Sequence, residues 1–171
     1  MREQAGLVAL LALLGAGWGI TQPLAKIAVS EGYRHFGIIF WQLVIATVIL
    51  GAITAARGRG LPLTAPHLRF YAVIALVGTV LPNAASFQAA VHLPAGVISI
   101  LLSLVPMFAF PIALGIGIDR FGPARFLGLG CGLGGVLLIV GPETSLPDPA
   151  MAAFIPIALI APFFYALEGN I

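Results

Sequence analysis

The polar positions of this chain fall in clusters, and long apolar runs separate them. Six runs approach the roughly 20 residues that a membrane-spanning helix needs. They are Ala5–Val29, Phe36–Ala56, Leu68–Val91, Ala95–Ile118, Pro123–Val140 and Ala150–Leu167. The breaks Ser30–His35, Arg57–His67, His92–Pro94, Asp119–Gly122 and Gly141–Pro149 hold most of the charges, with Gly and Pro as punctuation. They are too short for extramembrane domains, so neighbouring helices are expected to run antiparallel. The first run follows Arg2 but continues past the length of a signal core. It meets no convincing small-x-small cleavage site, so it reads as an uncleaved span. The pattern predicts an all-α polytopic membrane protein.

Composition strengthens that reading. The 171 residues are 60% hydrophobic and only 8% charged, against roughly a quarter charged in an ordinary soluble domain. Mean hydropathy is +1.10. The 21 glycines and 13 prolines suit membrane helices that pack closely and bend. With the N-terminus cytoplasmic, Arg2, Arg57, Arg59, Arg69, Arg120 and Arg125 fall inside and Arg34 outside, while Glu31, Glu143 and Asp148 fall in outer loops. That asymmetry follows the positive-inside rule. It explains the dispersed positive charge better than nucleic-acid binding does, and the expected setting is a bacterial inner (cell) membrane. One cysteine, Cys131, excludes an intrachain disulfide and reads as a small residue in a glycine-rich helix.

Candidate chemistry begins in the first span. Trp18, Thr21, Gln22 and Lys26 share one helix face, and Pro23 leaves the carbonyl of Gly19 without its helical donor. A lysine at mid-bilayer costs roughly 2.5–3.5 kcal/mol on insertion scales. Lys26 therefore either reaches the outer headgroups or serves a polar path lined by its neighbours. In the third span Asn83 and Ser86 share a face beside Pro82. In the fourth, Ser99 and Ser103 lie one turn apart, ahead of Pro106 and Pro111. Gln42, Glu168 and Asn170 complete the polar inventory, with Glu168 expected at the cytoplasmic interface. In the fifth span Gly128/Gly132 and Gly130/Gly134 have the small-xxx-small spacing of tight helix contacts. Gly130-x-Gly132-x-x-Gly135 matches a dinucleotide fingerprint only formally, because no strand precedes it.

The three histidines stand at span ends, far apart, and no acidic cluster accompanies them, so a metal site has little support. No serine stands in a nucleophile elbow. The chain is not expected to be an enzyme, and no cofactor is implied. A shift of 146 positions sets Leu11–Trp18 against Ile157–Phe164. The sixth span would thus open a second copy, inverted because five spans separate the two starts. Inverted repeats are common in secondary transporters.

Together these residues resemble the EamA family of the drug/metabolite transporter superfamily. The opening Trp18-Gly19…Lys26 is similar to that family's first span. More specific is the order Ser86…Pro94-Ala95-Gly96…Ser99…Ser103…Pro106, then Asp119-Arg120, then the glycine-rich helix from Gly128 to Gly141. The resemblance implies a first five-helix repeat over residues 1–141, an outer loop over 142–149, and the first helix of a truncated second repeat over 150–171. Members typically have two such repeats, so the chain is expected to be a fragment. Two departures stand out. Ile118-Asp119 replaces the usual Gly-Glu, and Gln42 stands where an arginine is common. If that arginine selects anions in relatives, this chain handles neutral or cationic solutes.

The expected function is a secondary transporter, an exporter of small metabolites or amino acids, working by alternating access with possible proton or ion coupling. Trp18, Thr21, Gln22, Asn83, Ser86, Ser99 and Ser103 are expected along the solute path. Lys26, Pro23, Pro106 and Asp119 are structural or gating candidates, and Gly128, Gly130, Gly132 and Gly134 are packing positions. Two alternatives are a non-transporting membrane subunit or scaffold, and a small multidrug-type exporter acting as a dimer. The expected partners are the lipid bilayer, a small-molecule solute, and a second copy or a missing C-terminal repeat.

Overall fold

The computed structural model describes residues 2–58, 60–120, 122–140 and 148–171. Arg59, Glu143 and most of the expected outer loop 142–149 lie outside them, and of Arg2 only the backbone is described. All the described secondary structure is helical: α1 Arg2–Ser30, α2 His35–Ala56, α3 Ala65–Ala75, a π turn Leu76–Val80, α4 Leu81–His92, α5 Ala95–Leu102, α6 Val105–Gly115, α7 Pro123–Val140, a 3-10 turn Pro149–Phe154, and α8 Ile155–Glu168.

Among the described residues, five helical stretches are long and apolar enough to cross a membrane: Gln4–Ser30, His35–Ala56, Ala65–His92, Ala95–Gly115 and Ala150–Glu168. The sixth expected span, α7, is a shorter apolar helix of 18 residues. At about 1.5 Å per residue it extends just short of the ~30 Å hydrocarbon core.

Proline explains two irregularities. Pro82 has no N–H to offer the turn before it. The chain there widens into a π turn, in which the Leu81 N–H reaches the Leu76 carbonyl five residues back. Pro106, second in α6, likewise cannot bond backward. The fourth span therefore breaks at Ser103 and Leu104, whose N–H groups make tight bonds to Ile100 (3.1 Å) and Leu101 (3.1 Å). Pro23, by contrast, is accommodated within an unbroken α1. At the end of α6, Gly117 adopts φ +76°. Ile118 and Asp119 then both donate to Ala113, closing the helix with a glycine-type cap.

The core lies where α4 meets α8. Ala85, Ala89 and Ala90 on one side and Ala158, Ala161 and Ala166 on the other are buried, with Pro82 and Pro162 fully enclosed. Small side chains let backbones approach, which is how membrane helices gain contact without a hydrophobic driving force. Val97, Ile98, Leu101 and Leu102 of α5 complete the core. Large apolar side chains such as Leu11, Leu14, Trp41, Val48 and Leu138 cover the outside.

The glycine-rich α7 lies at the edge. Of its expected packing positions, only Gly132 meets another helix: a Cβ there would lie 2.5 Å from Met107 Cε. Gly128, Gly130 and Gly134 have open space where a Cβ would stand. The close approach expected of this helix is made instead by the alanine faces of α4 and α8.

Candidate functional site

A cavity of about 880 Å³ opens between α1, α2, the π turn, α4 and α8. Its floor is built by two helices whose polar residues share a face. On the third span these are Thr79, Asn83 and Ser86, spaced by four and three. On α1 they are Trp18, Thr21 and Gln22. Thr21 Oγ1 donates to the Trp18 carbonyl (2.6 Å), which fixes the hydroxyl beside Pro23, and Gln22 Nε2 reaches Thr21 Oγ1 at 3.4 Å. From α8, Tyr165 donates its hydroxyl to Asn83 Oδ1 (2.9 Å) and meets Trp18 edge to face, with ring centroids 6.4 Å apart. Ser86 is buried, and no hydrogen bond ties its hydroxyl among the described residues. Tyr33, Arg34, Trp41 and Gln42 line the cavity toward α2. Arg34 is the one charged side chain among the described lining residues.

A second cavity of about 590 Å³ lies between α6, α7 and α8. Pro106, Phe110, Asp119, Arg125, Gly128, Tyr165 and Asn170 are among its walls. The two cavities face opposite ends of the bundle. The larger reaches the turn after α1, beside the C-terminal end of α4. The smaller reaches the turn after α6, where the chain has run back from that end. Tyr165 lines both.

Lys26 is not among the residues lining either cavity. Its ammonium donates to the carbonyls of Ala90 (2.6 Å) and Val91 (3.3 Å), at the C-terminal end of α4. Those carbonyls have no helical donor ahead of them and carry the negative end of the helix dipole. At the other end of the bundle, Asp119 accepts from the Arg120 N–H (2.8 Å) and from Arg125 Nη1 (2.6 Å). The Arg120 backbone bond is the main cause holding its carboxyl below the ordinary value of 3.8; desolvation opposes it, and the hydrogen bond and charge of Arg125 add to the lowering.

A family model, that of the EamA-like transporters, matches residues 6–141. The chain belongs to the EamA-like transporter family. It is therefore an integral membrane protein of a transporter family, with the apolar exterior turned to lipid. No curated protein and no solved structure gives a match.

Of the seven residues expected along the solute path of this EamA-like chain, Trp18, Thr21, Gln22, Asn83 and Ser86 line the larger cavity. Ser99 and Ser103 line neither cavity. Each bonds a carbonyl of its own helix, Ala95 at 2.9 Å and Ile100 at 2.6 Å. Sequence reasoning missed Thr79 and Tyr165. Thr79 was visible as the third member of the Thr79–Asn83–Ser86 stripe. Tyr165 was visible only through the weak internal repeat, which sets the neighbouring Phe164 opposite Trp18. Glu168 departs from its expected place at the cytoplasmic interface. Its Oε1 would lie 2.6 Å from a Cβ on Gly78, halfway along the third span.

Proposed function

We propose that this chain forms the solute path of a secondary transporter, an exporter of small metabolites or amino acids working by alternating access. The observation that carries the reading is the larger cavity. Its volume of about 880 Å³ lies within the ~300–1,000 Å³ usual for small-molecule sites. Amides (Gln22, Gln42, Asn83), hydroxyls (Thr21, Thr79, Ser86) and aromatic rings (Trp18, Trp41, Tyr165) converge there from five helical elements. Such a surface hydrogen-bonds a polar solute and stacks on its apolar part. Gln42 pointed to neutral or cationic solutes, but Arg34 lines the same cavity with no carboxylate among the described lining residues, so this reading sets cations aside in favour of neutral, zwitterionic or anionic solutes.

In this reading residues 1–141 form the first of two inverted repeats, and the stretch from 150 opens the second. The N-terminus is cytoplasmic, the membrane is the bacterial inner membrane, and the family is a branch of the drug/metabolite transporter superfamily. Lys26 holds the ends of α1 and α4 together while the cavity changes access.

The test is reconstitution of the intact protein into proteoliposomes, with flux measured for a panel of labelled neutral, anionic and cationic amino acids. At least one neutral or anionic member should cross, and Gln22→Ala and Asn83→Ala should raise its KM without lowering the yield of folded protein. If nothing crosses and both substitutions change only assembly, the scaffold reading replaces this one.

A further inference from the structure

Glu168 is the acidic residue that the solute path leaves unexplained. Gly78, which its side chain covers, lies near the middle of the 28-residue span Ala65–His92. At about 1.5 Å per residue, either end of that span is roughly 20 Å away. The depth of α8 agrees. Phe154, at its start, stacks on His92 with ring centroids 3.7 Å apart, and Glu168 follows 14 residues later. Gly78 leaves the room this pose uses: a Cβ there would meet the carboxyl group, which would have to swing aside.

An ionised carboxylate at this depth is expensive and needs a partner or a proton. Among the described residues no basic side chain and no hydrogen-bond donor engages it. The ionisable groups on the elements packed around it are accounted for elsewhere. Lys26 is held by the α4 carbonyls, and Asp119 and Arg125 bond each other at the far end of the smaller cavity. His92 is at the end of α4 against Phe154. Arg69 and Tyr71 lie two turns or so before Gly78, and Tyr165, one turn back on α8, is bonded to Asn83.

The surroundings also connect to both ends of the bundle. Glu168 itself lines neither cavity, but its neighbours do: Gly78 and Tyr165 line the larger, while Tyr165, Gly169 and Asn170 line the smaller. We infer that Glu168 is a proton-carrying carboxylate set against Gly78, among the residues that separate the two cavities, and that it couples solute movement to a proton gradient. In one state its carboxylate takes a proton from water in one cavity. In the other it returns that proton to water in the opposite cavity, with Tyr165 and the π turn as the partition. No bond other than O–H forms or breaks. This inference rests on the transport reading for its coupling, but the proton-binding step stands on the placement of Glu168 alone.

Two measurements on the intact protein test it separately. The first is labelling with the lipid-soluble dicyclohexylcarbodiimide, read by peptide mass spectrometry. The protonated carboxyl adds across the C=N bond, its oxygen to carbon and its proton to nitrogen, and the resulting O-acylisourea rearranges by an oxygen-to-nitrogen acyl shift to a stable N-acylurea. Glu168 should be modified, increasingly as pH falls, while a water-soluble carbodiimide prefers Glu31. The second uses vesicles loaded with a pH-sensitive dye and the amino acid that the panel identifies. Solute addition should move protons in the wild type. Glu168→Gln should lose that movement and retain solute exchange at equal pH, and Glu168→Asp should restore part of it. Absence of label on Glu168 at every pH overturns the inference, as does wild-type proton movement in Glu168→Gln. If no amino acid crosses, the transport reading fails, and the labelling still decides whether Glu168 takes up a proton.

Discussion

Lys26 offers the clearest quantitative test of how the bundle is held. It donates to two carbonyls of another helix, 64 and 65 residues away in sequence. Substitution to methionine keeps the apolar stem and removes both the donors and the charge. A hydrogen bond from a charged donor contributes about 1.5–3 kcal/mol. A cation at a helix C-terminus adds about 0.3–1 kcal/mol. The Ala90 bond is part-buried and short, whereas the Val91 bond is longer and exposed, so the second is discounted heavily. Lys26→Met should then lose about 2 kcal/mol. Lys26→Arg, which keeps a cationic donor, should lose about half as much.

The assay is reversible unfolding by SDS in mixed micelles, followed by far-UV circular dichroism. Ser30→Ala is the control, because Ser30 Oγ bonds only the Lys26 carbonyl of its own helix (2.7 Å). If Lys26→Met falls within about 0.5 kcal/mol of that control, the interhelical bonds contribute nothing measurable. The lysine would then be an anchor in the headgroups, and the argument for a cap on α4 fails.

Three further outcomes follow from the same contacts. Tyr165→Phe keeps the edge contact with Trp18 and loses the bond to Asn83, so it should cost about 0.6 kcal/mol and no more than roughly 1.7. The double variant with Asn83→Ala should cost less than the sum in the same SDS titration. Gly132→Leu should push aside the flexible end of Met107 and cost no more than about 1 kcal/mol, whereas Gly134→Leu, facing open space, should leave the unfolding midpoint unchanged. Asp119 has a carboxyl held below 3.8, so its contribution is full above that ordinary value and is lost as pH falls through the lowered folded value. The stability difference between wild type and Asp119→Asn should therefore persist at neutral pH and vanish on strong acidification.

The spans were legible because a bilayer sets their length and their composition. What could not be read was which face of each span meets another helix. In water the polar face of a helix marks the outside, whereas in lipid both faces are apolar and the period carries little information. Glycine spacing therefore pointed to α7, although the most extensive contact is between α4 and α8, through buried alanines for which composition gives no comparable signal. Spacing of polar residues fared better for Asn83 and Ser86, which share a cavity wall with Thr79. Ser99 and Ser103 have the same kind of spacing and turn back on their own helix, because a serine can be satisfied by the carbonyl one turn earlier. Glu168 shows the limit most sharply. Counting along α8 puts it at a span end, and hence near water. Its depth is set instead by register against the third span, marked at one end by the Phe154–His92 stack and at mid-span by the contact of Glu168 with Gly78. Those two contacts join residues more than sixty positions apart. The acid at the end of one apolar run thus stands beside the middle of another, where its charge has the greatest consequence.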